Sequence, residues 1–254
     1  MKLLIVRHAD PDYSIDSLTP TGWKEAKLLA DRLVRTPADA YYVSPPGRAK
    51  DTASLTLEKL GCTATTQEWL REFSPRIVKP GMDRTSCIWD WLPELWTKEP
   101  RYYDPEEWYH TDAMRSIHVE EEFKRVTSEF DRLLAAHGYE REGLYYRAVR
   151  PNRDTIVLFC HFGVECVLLS HLMHVSPMPL CARHRPPSPP FTRRSVDRAS
   201  QAFGPAHSEM FPISTRQGRS LPLRPASVKP GTIKKSGMTE HAAHCYKFSS
   251  RLQI

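Results

Sequence analysis

Two short apolar runs, each ending abruptly in a histidine, set the tightest limit on how this chain folds. Lys2 to Val6 is followed by Arg7-His8, and Thr155 to Cys160 (TIVLFC) by His161. Such runs, with no polar residue at alternate positions, read as strands buried on both faces, the pattern of a parallel sheet.

Between them the chain alternates strand and helix signals. Asp10-Pro11-Asp12 breaks the first strand. Thr19-Pro20 reads as an N-cap and first helical residue, and Ala26, Leu29, Ala30 and Leu33 give the helix one apolar face. Ala40 to Val43 reads as a second strand and Ser44-Pro45-Pro46-Gly47 as a turn. Arg48 to Leu60 reads as a helix closed by Gly61, and Thr63 to Gln67 as a third strand. Val119 to Ala136 has the period of an amphipathic helix, and Val164 to Met173 is expected to be helical from just after Gly163. The expected fold class is α/β, a mostly parallel sheet with helices on both faces. Residues 74–115, rich in Trp, Tyr and Pro, lack a period and read as an inserted cap, with the whole insertion at about 74–145.

The character of the chain changes near Leu180. Half of its 22 prolines follow residue 176, and periodic apolar spacing gives way to runs such as Arg185-Pro186-Pro187-Ser188. Residues 182–254 hold 13 Lys/Arg against 3 Asp/Glu, so the net charge of +6 belongs to this segment and residues 1–181 carry an acidic excess. That balance does not suggest a nucleic-acid binder. The expected organisation is a domain over 1–180 and a basic Pro/Arg/Ser-rich tail over 181–254. No apolar run reaches the length of a membrane span, and charges follow Val6 too soon for a secretory leader, so a cytoplasmic protein is expected. The six cysteines show no framework spacing and read as buried free thiols.

In open α/β sheets ligands bind beyond the carboxyl ends of strands. Arg7-His8, Arg48, Glu72 and His161 all fall at or past such ends. A neutral imidazole is a competent nucleophile towards phosphorus. Two guanidiniums and a second imidazole can hold the phosphoryl oxygens, and a carboxylic acid can protonate a leaving oxygen and later activate water. Cationic side chains then do the work of a metal, and neither a metal nor another cofactor is expected.

These residues sit in an ordered set of motifs: Ile5-Val6-Arg7-His8-Ala9, Leu18-Thr19-x-x-Gly22-x-x-x-Ala26, Ser44-x-x-x-Arg48-Ala49-x-x-Thr52-Ala53, Leu70-x-Glu72 and Cys160-His161-Phe162-Gly163-Val164. Over roughly residues 1–175 the chain resembles the histidine phosphatase superfamily, in its phosphoglycerate-mutase-like branch. The resemblance implies a phosphorylated nucleophile at His8, a phosphate pocket from Arg7, Arg48 and His161, and a proton donor at Glu72. It implies a phosphatase acting on a small phosphate monoester. A mutase or a non-catalytic remnant with a defective C-terminus are the alternatives. Ala9 stands where the family usually has Gly, Asp51 where it often has Gln, and Phe162 where Gly is common. Phe73-Ser74-Pro75-Arg76 follows Glu72 in place of the mutase pattern and points to hydrolysis.

Other candidates have plainer readings. Trp89, Trp91, Trp96 and Trp108 read as cap core, and Arg76, Lys79 and Arg84 as a solvated face. His241-x-x-His244-Cys245 has metal-like spacing in a segment with no core. The family's sheet is completed by strands after the second histidine, and nothing after Leu180 resembles them. Residues 181–254 are therefore expected to be disordered or out of frame. Ile213 to Pro222, back-translated and read one base out of register, can encode Asp-Ile-Tyr-Thr-Thr-Gly-Glu-Glu-Pro-Ser, which resembles the end of some bacterial members. Specificity is expected to lie in 74–115. The sequence discloses neither the ester nor the oligomeric state.

Overall fold

A computed structural model describes residues 1–36, 38–79, 83–89, 91 and 93–184. Residues 185–254 of the expected tail, with the His241/His244/Cys245 group, lie outside these residues; residues 181–184 are helical, so the change expected at 181 does not start there.

In chain order the elements are β1 (Lys2–Arg7), β2 (Pro11–Asp12), β3 (Ser17–Leu18), α1 (Pro20–Leu33), β4 (Ala40–Val43), α2 (Gly47–Leu60) and β5 (Thr65–Thr66). The cap region follows with β6 (Arg76–Val78), β7 (Thr85–Cys87), α3 (Pro93–Trp96) and α4 (Asp112–Arg115). Then come α5 (Val119–Ala136), β8 (Tyr139–Glu142), β9 (Tyr145–Ala148), β10 (Thr155–Cys160), α6 (Phe162–Met173) and α7 (Pro177–His184).

The central sheet has the order β1-β10-β4-β5 and every pairing in it is parallel. This is the α/β arrangement expected from the two apolar runs. β10 shows why it carries no polar alternation. Ile156, Leu158 and Cys160 enter one buried cluster with α5 and α6, while Val157 and Phe159 enter another with Leu29, Leu33, Ala49 and Ala53 of α1 and α2. With both faces covered, each large apolar side chain contributes roughly 1.5–3 kcal/mol by leaving water. β1 lies at one end of the sheet. Lys2 and His8 donate their N–H groups to Asp154 and Cys160, so the alternate groups of Leu3, Ile5 and Arg7 face away from β10.

Local signals explain the element ends. The Thr19 side chain accepts the Gly22 N–H at 3.0 Å and opens α1 on Pro20. Gly61, at φ 63°, closes α2 in the left-handed region. The third strand is only Thr65–Thr66, shorter than the run expected over 63–67. α6 starts at Phe162, ahead of the expected start after Gly163, because Glu72 supplies an acceptor for its first turn (below).

The cap contains short helices as expected, and also a small antiparallel pair, β6–β7. Trp89, Trp91, Trp96 and Trp108 are all buried in its core. Arg76 and Arg84 are exposed, but Lys79 is only 2% exposed, with its Nζ 5.8 Å from the centre of the Trp91 ring. The solvated-face reading therefore fails for Lys79, which is buried with its ammonium over an aromatic ring. Among the cysteines, Cys160, Cys166 and Cys181 are buried free thiols, while Cys62 and Cys87 are partly exposed. Leu180, where the sequence changes character, falls inside α7.

Candidate active site

β1 and β10 are neighbours in register, Arg7 opposite Cys160, so the residues that follow them emerge side by side. The rings of His8 and His161 lie edge to face, 5.1 Å between centres. Both are buried, His8 at 7% exposure and His161 at 0%.

The His8 Nδ1–H donates to the Ala9 carbonyl oxygen at 2.8 Å. A carbonyl only accepts, so this contact fixes the tautomer and leaves the Nε2 lone pair free. Burial holds the His8 pKa down to about 4, against the Ala9 hydrogen bond, with the charges of Arg7 and Arg48 lowering it further. His161 is depressed to about 3, first by burial and then by Arg48 and His8. Both imidazoles are therefore neutral near pH 7. Nε2 of His161 shares a 2.8 Å hydrogen bond with Ser44 Oγ, and Ser44 is itself fully buried after β4. Sequence reasoning placed Ser44 in the turn and its motif but gave it no role.

Three buried polar atoms of these residues have no hydrogen-bond partner among the described residues: Nε of Arg7, Nε of Arg48 and Nδ1 of His161. All three belong to the set expected to hold phosphate. The Arg7 guanidinium sits 5.5 Å from the centre of the Phe162 ring, so Phe162, where the family often has Gly, covers part of Arg7. Ala9 is not among the residues with positive φ, and its N–H donates to Thr52 Oγ1 at 3.0 Å, so the substitution of the usual Gly is accommodated without strain.

Glu72 joins the group through the main chain. Its Oε1 accepts the Gly163 N–H at 2.7 Å and the Val164 N–H at 3.3 Å, capping the first turn of α6 directly beyond His161. Burial raises its pKa, opposed by these two bonds and by Arg7 and Arg48. Glu165, on the same turn, was not singled out by sequence reasoning. Burial raises it to about 7, against the pull of Arg7.

Arg48 is held from another direction. Its Nη1 lies 2.6 Å from Asp16 Oδ1, and Asp16 Oδ2 accepts the Gly47 N–H at 2.7 Å. Among the described residues no group of three or more His, Cys, Asp or Glu could hold a metal ion. No helix among them is long and apolar enough to cross a membrane.

The family model of the histidine phosphatase superfamily (branch 1) matches residues 3–186. The chain belongs to the histidine phosphatase superfamily. "Putative phosphoserine phosphatase 2" of Hydrogenobacter thermophilus is 38% identical to it over 82 residues, 29% of this chain and 40% of that protein. The chain thus matches less than half the length of this curated relative. Among solved structures, the chain is similar to mycobacterial glucosyl-3-phosphoglycerate phosphatase, at 21% identity and TM-score 0.42, over 71% of this chain and 82% of that one. It is also similar to phosphoserine phosphatase from Entamoeba histolytica, solved with 3-phosphoglyceric acid, at 15% identity and TM-score 0.46, over 72% and 84%.

Proposed function

We propose that this member of the superfamily is a metal-independent phosphatase that hydrolyses a small phosphate monoester through a phosphohistidine on His8. The observation that carries the reading is the His8–Ala9 contact, which leaves a neutral imidazole with a free Nε2 lone pair beside a second buried, neutral imidazole.

In the first step Nε2 of His8 attacks phosphorus in line and the bond to the ester oxygen breaks. Glu72, whose hold on a proton is strengthened by burial, acts in its acid form, delivers its proton to the departing oxygen and is left as carboxylate. Oε1 of Glu72 is already engaged by two N–H groups, so the proton resides on Oε2. In the second step the Glu72 carboxylate takes a proton from water, the oxygen attacks phosphorus, and the P–N bond breaks to release inorganic phosphate. Arg7, Arg48 and His161 hold the three phosphoryl oxygens throughout. Positioning and charge stabilisation supply most of the acceleration, as is general for phosphoryl transfer. The name of the bacterial relative supports a small phosphorylated metabolite as substrate. The acidic excess of residues 1–181 does not favour nucleic acid.

The test is hydrolysis of an aryl phosphate with EDTA present, for the native chain and for His8→Ala. Activity that survives chelation and disappears in the variant is expected. A folded chain, shown so by circular dichroism, that releases no phosphate would remove the reading. Release of a rearranged phosphate ester in place of inorganic phosphate would favour a mutase.

A further inference from the structure

We propose that Asp16, on the β2–β3 hairpin, is a positioning residue that fixes the Arg48 guanidinium for phosphate and makes the pocket depend on that hairpin being seated against α2. The proposal rests on the reading of Arg48 as a phosphate-binding residue.

The contact is built from both sides. Pro46, the residue preceding α2, offers no side-chain cap to the helix. Asp16 supplies one from 31 residues away, its Oδ2 accepting the Gly47 N–H. Its other oxygen takes Nη1 of Arg48 at 2.6 Å. One carboxylate therefore ties the first main-chain donor of the helix and the first charged side chain of the same helix into a single unit. Asp16 adopts φ 48°, a left-handed conformation uncommon outside glycine, so the hairpin bends specifically to present this group. A Cβ on Gly47 would lie 2.1 Å from the Asp16 carbonyl oxygen, so the approach demands glycine there.

The same hairpin grips Arg48 and α2 elsewhere. The Arg48 Cζ lies 5.5 Å from the centre of the Tyr13 ring, which covers one face of the guanidinium. Ser17 Oγ donates to the Asp51 carboxylate one turn further along α2, which gives this family-atypical residue a role in the latch. With Nη1 taken by Asp16, the orientation of the planar fork is set, and its Nε is buried and free of partners among the described residues. A guanidinium held at one corner loses less freedom on binding a tetrahedral anion than one that must be ordered by it. The side chain of Asp16 is half exposed, so the pair adds little to overall stability; its value lies in orientation.

The experiment is a double-mutant cycle on the full chain, read by equilibrium binding of inorganic phosphate in a calorimeter, with turnover of an aryl phosphate followed in parallel. Asp16→Ala is expected to weaken phosphate binding roughly tenfold in the native background and to have no further effect in an Arg48→Ala background. Asp16→Asn, which keeps an acceptor for the Gly47 N–H and loses the charge, should recover the melting temperature and only part of the phosphate affinity. Equal losses in both backgrounds would make Asp16 a structural residue and overturn the proposal, as would unchanged affinity in Asp16→Ala. Phosphate binding without turnover would instead sink the phosphatase reading and leave the cycle to decide on Asp16. A chain that binds no phosphate would overturn both.

Discussion

Glu72 and Gly163 are joined by a 2.7 Å hydrogen bond from the Gly163 N–H to the Glu72 carboxylate, and no side chain larger than hydrogen fits at residue 163. A Cβ there would lie 2.4 Å from the Phe73 carbonyl oxygen, 2.4 Å from Trp89 Nε1 and 2.7 Å from Glu72 Oε1. The proposed acid is thus seated by the absence of a methyl group. Gly163→Ala is expected to push the Glu72 carboxylate off the helix end and lower kcat by about two orders of magnitude, the scale of a lost general acid. It should also cost about 1–3 kcal/mol of stability by overpacking. Kinetics and thermal melts together check this, and a variant with native kcat would show that Glu72 is not the acid.

The pH dependence of kcat/KM should follow from His8 and Glu72. Activity is expected to fall on the acid side as His8 takes a proton near its depressed pKa of about 4. On the alkaline side it should fall as Glu72 loses its proton, above the ordinary carboxylate range. Glu72→Gln should abolish the alkaline limb for an ester with a poor leaving group. For an aryl phosphate, whose leaving group needs no proton, it should spare phosphorylation and slow only the hydrolysis of the intermediate. A stopped-flow burst would separate the two steps.

Stability should also carry the imprint of the histidines. His161 has a folded pKa of about 3 against an unfolded value of 6.5, so below pH 6.5 the unfolded chain binds the extra proton. Its contribution is neutral above pH 6.5 and turns against folding as pH falls from there towards 3. At pH 5 the penalty is on the order of 2 kcal/mol. His161→Gln should therefore flatten the drop in melting temperature between pH 7 and pH 5 relative to the native chain, whatever its effect at pH 7.

Glu165 runs the opposite way. Its pKa, raised to about 7, makes the folded chain bind the proton that the unfolded chain has released, so stability is lost as pH rises from about 4.5 through 7. Glu165→Gln should stabilise the protein at pH 8, on the order of 1–2 kcal/mol once its partial solvent contact is discounted, and by little at pH 5. Denaturant melts at the two values decide it. A gain of the same size at both would assign the effect to packing and not to charge.

The nucleotide sequence of the gene offers a separate check on residues 181–254. If the segment is out of frame, a displaced frame there encodes further strands of the family type, including the sequence hidden behind Ile213 to Pro222; the other reading is a disordered basic tail. Absence of such a frame would sink the out-of-frame reading.

The strands and long helices were legible because each is governed by local rules. β10 is apolar at every position since both its faces are covered, and Thr19-Pro20 and Gly61 mark helix ends by side-chain and backbone chemistry that needs no tertiary partner. The proposed site residues lie near one another for reasons a sequence can carry: His8, Arg7 and His161 emerge from adjacent strands, Arg48 lowers the pKa of both imidazoles, and Glu72 caps α6 just beyond His161. Asp16 left no such mark. Its role depends on a hairpin folding back across 31 residues to meet Gly47 and Arg48, and only the required glycine at 47 hints at it. The start of α6 was misjudged for a related reason, since its cap comes from Glu72, 91 residues earlier. Lys79 escaped because a buried lysine whose ammonium lies over a Trp ring looks, in sequence, like any surface lysine.

β1 bears on all of this, because it leads into the proposed nucleophile, His8, and also ends the described sheet. A protein whose reactive strand lies mid-sheet can fray at its margin and stay competent. Here the margin is Leu3, Ile5 and Arg7, whose outward amides have no main-chain partner among the described residues. Peeling of that strand would carry Arg7 and His8 away together. In hydrogen exchange the amides of Lys2 and His8, which donate to β10 and its lead-in, should report the opening of that strand, because its first separation from the sheet would also disperse the proposed site.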